Sequence, residues 1–307
     1  MFKVCFISHH FNSPQILLDD IIKMTPNRSG KWKDMEAVLN PFEADVVICL
    51  DGYSNIPYPE DRAYYFGQHP YGCGAFKPLT DKPKDRSFPN KEYLNPGEWW
   101  IKFDYDFLSN LKPPTKEKEL VAVSTYYKNH KITYTNRIEM LEEVVKAGVK
   151  YDLYGRQEEN FRANPLLKDY YKGVLGIKNF DPLKGEHIVG KEDLLKYEYS
   201  IEMDIGRDSD GGPVYNYFSE RLYDSLLLWC FPFYFGGYNL QDYLPSQSFM
   251  YIHLNTEEKR KKSALEIKEA IQNKIRDKNI EAIAEARNLL LNKYQLWAFT
   301  YDKIKKL

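Results

Sequence analysis

The chain has 307 residues, which is long for one domain and suits two domains of about 150 residues each. Hydrophobic residues make up 43% of it and aromatic residues 15%, which is typical of a globular protein and excludes a disordered one. Since 43 basic and 44 acidic side chains give a formal net charge of -1, the chain lacks the positive charge of a nucleic-acid-binding protein.

The cysteines and the first residues indicate the cellular compartment. Cys5, Cys49, Cys73 and Cys230 show no CxxC spacing, and three of them lie in apolar runs, which favours buried free thiols over disulfides or metal ligands. The N-terminus lacks the apolar length of a signal peptide, and no stretch of about 18 apolar residues could span a membrane. We therefore expect a cytoplasmic protein with no membrane span.

Short apolar runs alternate with helical patterns in the first part of the chain. Strands are predicted at 2–8, 44–50 and 62–67, each followed by polar residues, and a helix at 16–24. The run KPPTKEKE at 112–119 is typical of an interdomain linker.

A second series of the same kind follows the linker. Its predicted strands are 120–125, 149–155, 197–204, 231–236 and 249–254, and its predicted helices are 135–148, 220–229, 257–293 and 297–306. The pattern predicts the α/β class with two Rossmann-like domains facing a cleft. We predict an N-terminal domain at 1–115 and a C-terminal domain at 116–293, with a final helix at 294–307 that could pack back on the first domain.

The stretch VYNYFSERLYDSLLLW (214–229) joins a polar head to an apolar helix. Ser219 is a good N-cap, and Glu220 in the first turn is favourable to the helix dipole. Arg221 opposes that dipole unless an anion lies nearby, and a helix N-terminus with an arginine can bind phosphate or sugar hydroxyls. Physical reasoning alone leaves both a simple cap and a ligand site open.

The neighbouring elements favour a ligand site. The polar head follows a strand and the Gly-rich run GRDSDGGP, which places it beside a loop at the carboxyl edge of the sheet. Neither GxGxxG after the first strand nor GxxxxGK[ST] is present, so dinucleotide and P-loop sites are disfavoured. Asp208 and Asp210 form D-S-D in this run, but a solvated turn is the stronger interpretation, and we expect no metal.

This region resembles the donor-binding signature of the α-1,3-fucosyltransferases, glycosyltransferase family 10. The family pattern Y-K-F-x-L-x-F-E-N-S, Y-[VI]-T-E-K-[LI], P-V-V-x-G and P-x-x-S-F-I corresponds here to YEYSIEMDIG, YFSERL, FPFYFGG and LPSQSFMYI. Upstream, V-S-N, an Arg-led helix and V-D-x-Y-G-R correspond to AVST and NRIEMLEEVVKAGVKYDLYGR. The match covers about 120 to 254 in order.

The resemblance implies a GT-B fold and an inverting transfer of fucose from GDP-fucose to a glycan hydroxyl, with no cofactor beyond the nucleotide sugar. It implies that Arg137 meets the diphosphate or the departing charge and that Glu220 belongs to the catalytic group. The implied donor-binding residues are Ser124, Arg137, Asp204, Tyr217, Ser219, Glu220 and Arg221.

Departures from the family pattern leave the donor and the catalytic base open. Arg221 replaces a Lys, Asp204 stands at a Glu position and Ile205 at an Asn position. The nearest text to the family's strand-end G-E-N-P element, which carries the base, is FGQHP, where Gln68 takes the Glu position and His69 the Asn position.

Gln68 cannot accept a proton, so we predict His69 as the base, with Asp51 as second choice and a simple loop histidine as the competing interpretation. His9, His10 and Gln68 are the predicted acceptor-side residues. Two alternative functions remain: a glycosyltransferase of the same fold with another nucleotide-sugar donor, or a non-catalytic sugar- or nucleotide-binding protein.

Overall fold

The computed structural model describes residues 1–8, 11–50, 54–67, 86–88, 94, 96–124, 132–173, 192–204 and 216–304. Within this part of the chain the strands form two sheets of six strands each, and the second sheet begins at Lys118, inside the predicted linker. None of the helices in it is both long enough and apolar enough to cross a membrane.

The first sheet has the spatial order β2-β3-β1-β4-β5-β6. Its neighbouring strands run parallel, except for the antiparallel β2–β3 pair. The strands are β1 (Phe2–Ser8), β2 (Lys31–Trp32), β3 (Met35–Ala37), β4 (Val46–Leu50), β5 (Ala63–Phe66) and β6 (Ser87–Phe88). Two helices belong to this part of the chain, α1 (Pro14–Ile21) and α2 (Tyr105–Asn110).

The second sheet has the order β12-β11-β10-β7-β8-β9, and all its neighbours are parallel. The strands are β7 (Lys118–Val123), β8 (Asp152–Tyr154), β9 (Tyr171–Gly173), β10 (Tyr197–Met203), β11 (Phe231–Phe235) and β12 (Met250–Tyr251). The helices are α3 (Ile132–Lys146), α4 (Glu158–Ala163), α5 (Glu220–Leu227), α6 (Glu257–Gln272), α7 (Ile275–Lys278), α8 (Ile280–Leu289) and α9 (Leu296–Ile304).

The α/β class is confirmed, with two largely parallel sheets as in the Rossmann-like halves of a GT-B fold. Several elements are shorter than predicted. The long helix predicted at 257–293 is broken at Lys274, whose backbone takes a left-handed conformation with φ 50°, so the chain turns between α6 and α7. Cys5, Cys49 and Cys230 are buried free thiols, and Cys73 lies outside the described residues.

Helix α9 packs against the first sheet. The Trp297 ring lies 4.8 Å from the Phe6 ring between centroids, and its indole N–H donates to the Ile21 carbonyl at 3.0 Å. Phe299 meets Phe66 edge to face at 5.6 Å. The chain thus returns to its first strands after completing the second sheet. The domain division at residue 115 stays a proposal.

Helix α5 ends against three cations. The Arg287 Nε donates to the Leu227 carbonyl at 3.0 Å, and the Lys116 ammonium donates to the next carbonyl, that of Leu228, at 2.6 Å. The Arg276 Nε donates to the Trp229 carbonyl at 2.9 Å. Burial lowers the pKa of Lys116 and brings that of Arg287 to about 10. These contacts satisfy carbonyls that a helix end leaves open and complement its negative end.

The flank of α5 meets two segments that cross between the sheets. Gly97 donates to the Tyr294 carbonyl at 2.9 Å and accepts from the Leu296 N–H at 2.8 Å. A Cβ at Gly97 would overlap the Tyr223 ring, so only glycine lets the segment pass this close. Beside it, the buried Asp224 carboxylate accepts the Trp100 N–H at 2.9 Å. Residues 97–101 and 294–296 are therefore fixed to α5.

We expect Arg287→Met to lower the free energy of unfolding by about 2–4 kcal/mol, because it leaves buried carbonyls without a donor. The guanidinium also donates to the Leu108 carbonyl at 2.7 Å and lies 4.2 Å from the Trp229 ring centroid. Urea unfolding followed by circular dichroism measures the change. The matched control Arg162→Met removes an exposed arginine and should cost at most about 1 kcal/mol. Equal losses in the two variants would contradict the anchoring role.

Candidate functional site

The candidate site lies at the carboxyl edge of the second sheet. Ser124 follows β7, Gly155 follows β8 and Asp204 follows β10. Backbone hydrogen bonds continue past the strand ends, from the Ser124 N–H to the Tyr154 carbonyl at 2.9 Å and from the Asp204 N–H to the Phe235 carbonyl at 2.7 Å. The residues after the strands are therefore held in line with the sheet, where parallel α/β folds bind ligands.

Asp204 ties the start of α5 to the sheet. Its carboxylate accepts the Ser219 N–H at 3.2 Å, the Ser219 hydroxyl, and the Tyr234 hydroxyl at 2.7 Å. Ser219 in turn caps the helix, since its hydroxyl oxygen accepts the Arg221 N–H at 3.2 Å. Asp204 and Ser219 therefore orient the helix end, and the donor contacts predicted for them stay predictions.

The Asp204 carboxyl is fully enclosed. Burial raises its pKa, the neighbouring Glu220 carboxylate raises it further, and the hydroxyls of Ser219 and Tyr234 act in the opposite direction by stabilising the charged form. Tyr234 completes the enclosure by accepting the Gly237 N–H at 3.2 Å. This hydrogen-bonded group holds β10, β11 and the start of α5 in one arrangement.

Arg221 reaches from α5 to the end of β7. Its Nη1 donates to the Val123 carbonyl at 2.9 Å, while its Nε lies 3.9 Å from the Glu220 carboxylate. Burial lowers the pKa of the Arg221 guanidinium, but the nearby carboxylates raise it by more, so the pKa is higher than usual. Glu220 has the largest effect among these carboxylates. The Arg221 and Glu220 side chains are 20% and 18% exposed, so opposite charges reach the surface at the helix N-terminus.

Ser124 lies beside this anchor point, directly after Val123. Its side chain is 2% exposed, and its hydroxyl has no hydrogen-bond partner among the described residues. A Cβ at Gly155 would overlap the Ser124 carbonyl, so the glycine lets β8 approach closely. A buried hydroxyl beside a guanidinium and a helix N-terminus can donate to an anionic ligand.

Tyr217 lies under the turn that follows β11. Its side chain is 8% exposed, and a Cβ at Gly237 would overlap its carbonyl. A Cβ at Gly236 would likewise overlap the Tyr234 hydroxyl. The Gly pair therefore lets the turn close over the start of α5.

Arg137 lies on α3, the helix after β7, and its side chain is 1% exposed. Its predicted contact with the diphosphate stays a prediction. Several predicted residues lie outside the described part of the chain: His9, His10, Asp51, Gln68, His69, Ile205, Asp208 and Asp210. In the described part, no group of three His, Cys, Asp or Glu side chains could hold a metal ion.

Sequence reasoning missed two residues of the site. Tyr234 lies in the apolar run FPFYF, which is typical of a core strand. Glu202 is a polar residue within β10, a position that does not by itself indicate a site. In the structure Glu202 is 2% exposed and accepts the Ser225 hydroxyl at 2.5 Å. Glu202 also adds to the negative charge that raises the pKa of Arg221. The signal available was its spacing, because residues two apart on a strand share a face, and Asp204 is the second residue after it.

Comparison with known proteins finds structural similarity. No family model and no curated protein matches the sequence. Among solved structures, the chain is similar to an α1,3-fucosyltransferase at 11% identity and a TM-score of 0.45, covering 96% of this chain and 92% of that one. It is also similar to a glycosyltransferase from Rickettsia africae ESF-5 at 11% identity and a TM-score of 0.49, covering 100% of this chain and 99% of that one. A glycosyltransferase involved in avilamycin A biosynthesis has the same identity and TM-score, and the similarity covers 94% of this chain and 98% of that one. These values bear on neither substrate nor mechanism.

Tyr234→Phe should lower the free energy of unfolding by about 1–3 kcal/mol, because the buried Asp204 carboxylate loses a hydrogen bond and the Gly237 N–H loses its acceptor. Thermal unfolding by calorimetry measures the loss. Tyr170→Phe is the matched control, since Tyr170 is only partly buried and its hydroxyl makes no hydrogen bond to the described residues. If both variants unfold like the wild type, the Asp204 group does not hold the helix end.

Proposed function

We propose that the protein is a glycosyltransferase that takes a sugar from a nucleotide-activated donor, GDP-fucose being the first candidate, and passes it to a glycan hydroxyl with inversion. The observation that carries the proposal is the position of Arg221. Its side chain links the N-terminus of α5 to the end of β7 and stays partly exposed at the carboxyl edge of the sheet. The ordered resemblance over about 120 to 254 supports the same assignment.

The proposed chemistry follows from the charges at this edge. When the bond between the sugar and the diphosphate breaks, negative charge develops on the leaving phosphate. Arg221 and the first turn of α5 would stabilise that charge, with the Ser124 hydroxyl as a further donor. Glu220 can accept hydrogen bonds from sugar or ribose hydroxyls, and Tyr217 would line the pocket. We propose Arg137 as a second cation for the diphosphate.

The nucleotide is the first point to test. We expect GDP and GDP-fucose to raise the melting temperature in a thermal-shift screen that also contains UDP, CMP and their sugars, because binding to the folded state stabilises it. Release of GDP from GDP-fucose should then follow when acceptor glycans are added. Stabilisation by UDP alone would contradict the fucosyl assignment. Affinity for GDP without release from any donor would instead favour the non-catalytic binding protein.

Arg221→Met should weaken GDP binding by about 10- to 100-fold, since a charge-assisted contact with phosphate is lost. The GDP affinity of Arg221→Lys should lie between those of the wild type and Arg221→Met, because the lysine ammonium keeps the charge but lacks the planar fork of the guanidinium. Titration calorimetry measures the affinities, and circular dichroism checks the fold. The surface variant Arg162→Met should bind GDP like the wild type. Unchanged affinity in Arg221→Met would remove this residue from the donor site.

A further inference from the structure

One face of β10 carries three polar side chains in a row: Ser200, Glu202 and, just past the strand end, Asp204. They share a face because alternate residues of a strand point to the same side. All three are buried, with exposed fractions of 0%, 2% and 1%. Buried polar groups cost free energy unless they find partners, so this face needs polar groups on the element packed against it.

Helix α5 supplies those partners. The Ser200 hydroxyl donates to the Ser225 hydroxyl at 2.9 Å, and the Ser225 hydroxyl donates to the Glu202 carboxylate at 2.5 Å. At the helix start the Asp204 carboxylate accepts from the Ser219 hydroxyl. The polar face of β10 therefore runs along α5 from the helix start to its second turn, and Glu202 lies between the two ends of this contact.

Arg221 lies on the same side of α5. It precedes Ser225 by four residues, and side chains at this spacing are neighbours on a helix surface. Its Nη1 donates to the Val123 carbonyl at 2.9 Å, at the end of β7. Since β10 lies directly beside β7, their parallel register places Glu202 level with Val123. Both ends of the Arg221 side chain are thus attached next to the part of β10 that carries the Glu202 carboxylate.

The charge of Glu202 acts on this guanidinium. Burial lowers the pKa of Arg221, and among the carboxylates that raise it Glu202 comes second after Glu220. A hydroxyl such as that of Ser225 offsets only part of the cost of burying a carboxylate, and a nearby cation offsets more. Glu202 and Arg221 therefore stabilise each other's charged form in the interior.

We propose that Glu202 is a positioning residue of the donor site: its carboxylate, oriented by Ser225, holds the Arg221 guanidinium in the orientation that binds the donor diphosphate. The inference rests on the proposed function. The Val123 carbonyl fixes one nitrogen of the guanidinium, and Glu202 supplies the second fixed point that keeps a planar fork in one orientation. Because Glu202 is 2% exposed, it acts through Arg221 and does not touch the nucleotide sugar.

The direction of the change in affinity distinguishes positioning from a simple charge effect. Removing a negative charge near an anion site by itself strengthens anion binding. Losing the orientation of the guanidinium weakens it, because a bidentate contact with phosphate depends on geometry. Glu202→Gln keeps the size of the side chain and an acceptor for the Ser225 hydroxyl, so it removes the charge that holds Arg221 with little change in packing.

The test is a double-mutant cycle of Glu202→Gln and Arg221→Met in the full chain. Titration calorimetry measures the affinity for GDP, or for UDP if the wild type binds it more tightly. We expect Glu202→Gln to weaken binding by about 5- to 20-fold when Arg221 is present and by less than about twofold in the Arg221→Met variant. The matched control Glu143→Gln changes another buried carboxylate, which pairs with Lys146 on α3, and should bind the nucleotide like the wild type.

Ser225→Ala is a milder change that keeps the inference testable if Glu202→Gln does not fold. It removes the hydroxyl bound to the Glu202 carboxylate and leaves the charge in place. We expect a loss of about 2- to 5-fold in affinity that disappears in the Arg221→Met background.

A purely structural role for Glu202 would give losses of equal size with and without Arg221. Such equal losses in either cycle, or unchanged or tighter binding by Glu202→Gln, would overturn the positioning role and leave the proposed function standing. A wild type that binds no nucleoside diphosphate would overturn the proposed function and this inference together.

Discussion

The carbonyls at the end of α5 accept hydrogen bonds from Arg287, Lys116 and Arg276, which come from three separate parts of the chain. At its start the helix carries the Ser219 cap, and Ser219 is bound by the Asp204 carboxylate. Negative groups at the N-terminus and cations at the C-terminus both interact favourably with the helix dipole. Because both ends are fixed, the position of Arg221 at the sheet edge is fixed as well.

The same helix also determines how the two sheets' loops meet. Tyr223 and Asp224 hold the crossing segment that contains Gly97 and Trp100, and Glu98 lies between these contacts. The guanidinium proposed for the leaving group and the crossing segment are thus positioned by one helix.

The local part of this arrangement could be predicted from the sequence, and the long-range part could not. The cap at Ser219 and the unusual first-turn Arg221 are visible because they depend on neighbours a few residues away. Tyr234 meets Asp204 across 30 residues, and the Gly97 segment meets α5 across more than a hundred. Such pairs depend on how the strands are ordered, and no single-sequence pattern encodes that order. The predicted acceptor-side residues His9, His10 and Gln68 lie outside the described part of the chain, so their assignment stays a prediction.

The contacts of Trp297 with Phe6 and with the Ile21 carbonyl join residues that are 291 and 276 positions apart. During synthesis the first sheet emerges from the ribosome long before α9 does, so the faces of Phe6 and Phe66 that α9 covers stay open until this helix is made. Contacts of this separation slow folding and expose apolar surface meanwhile. We expect the newly made chain to depend on chaperones until that helix docks.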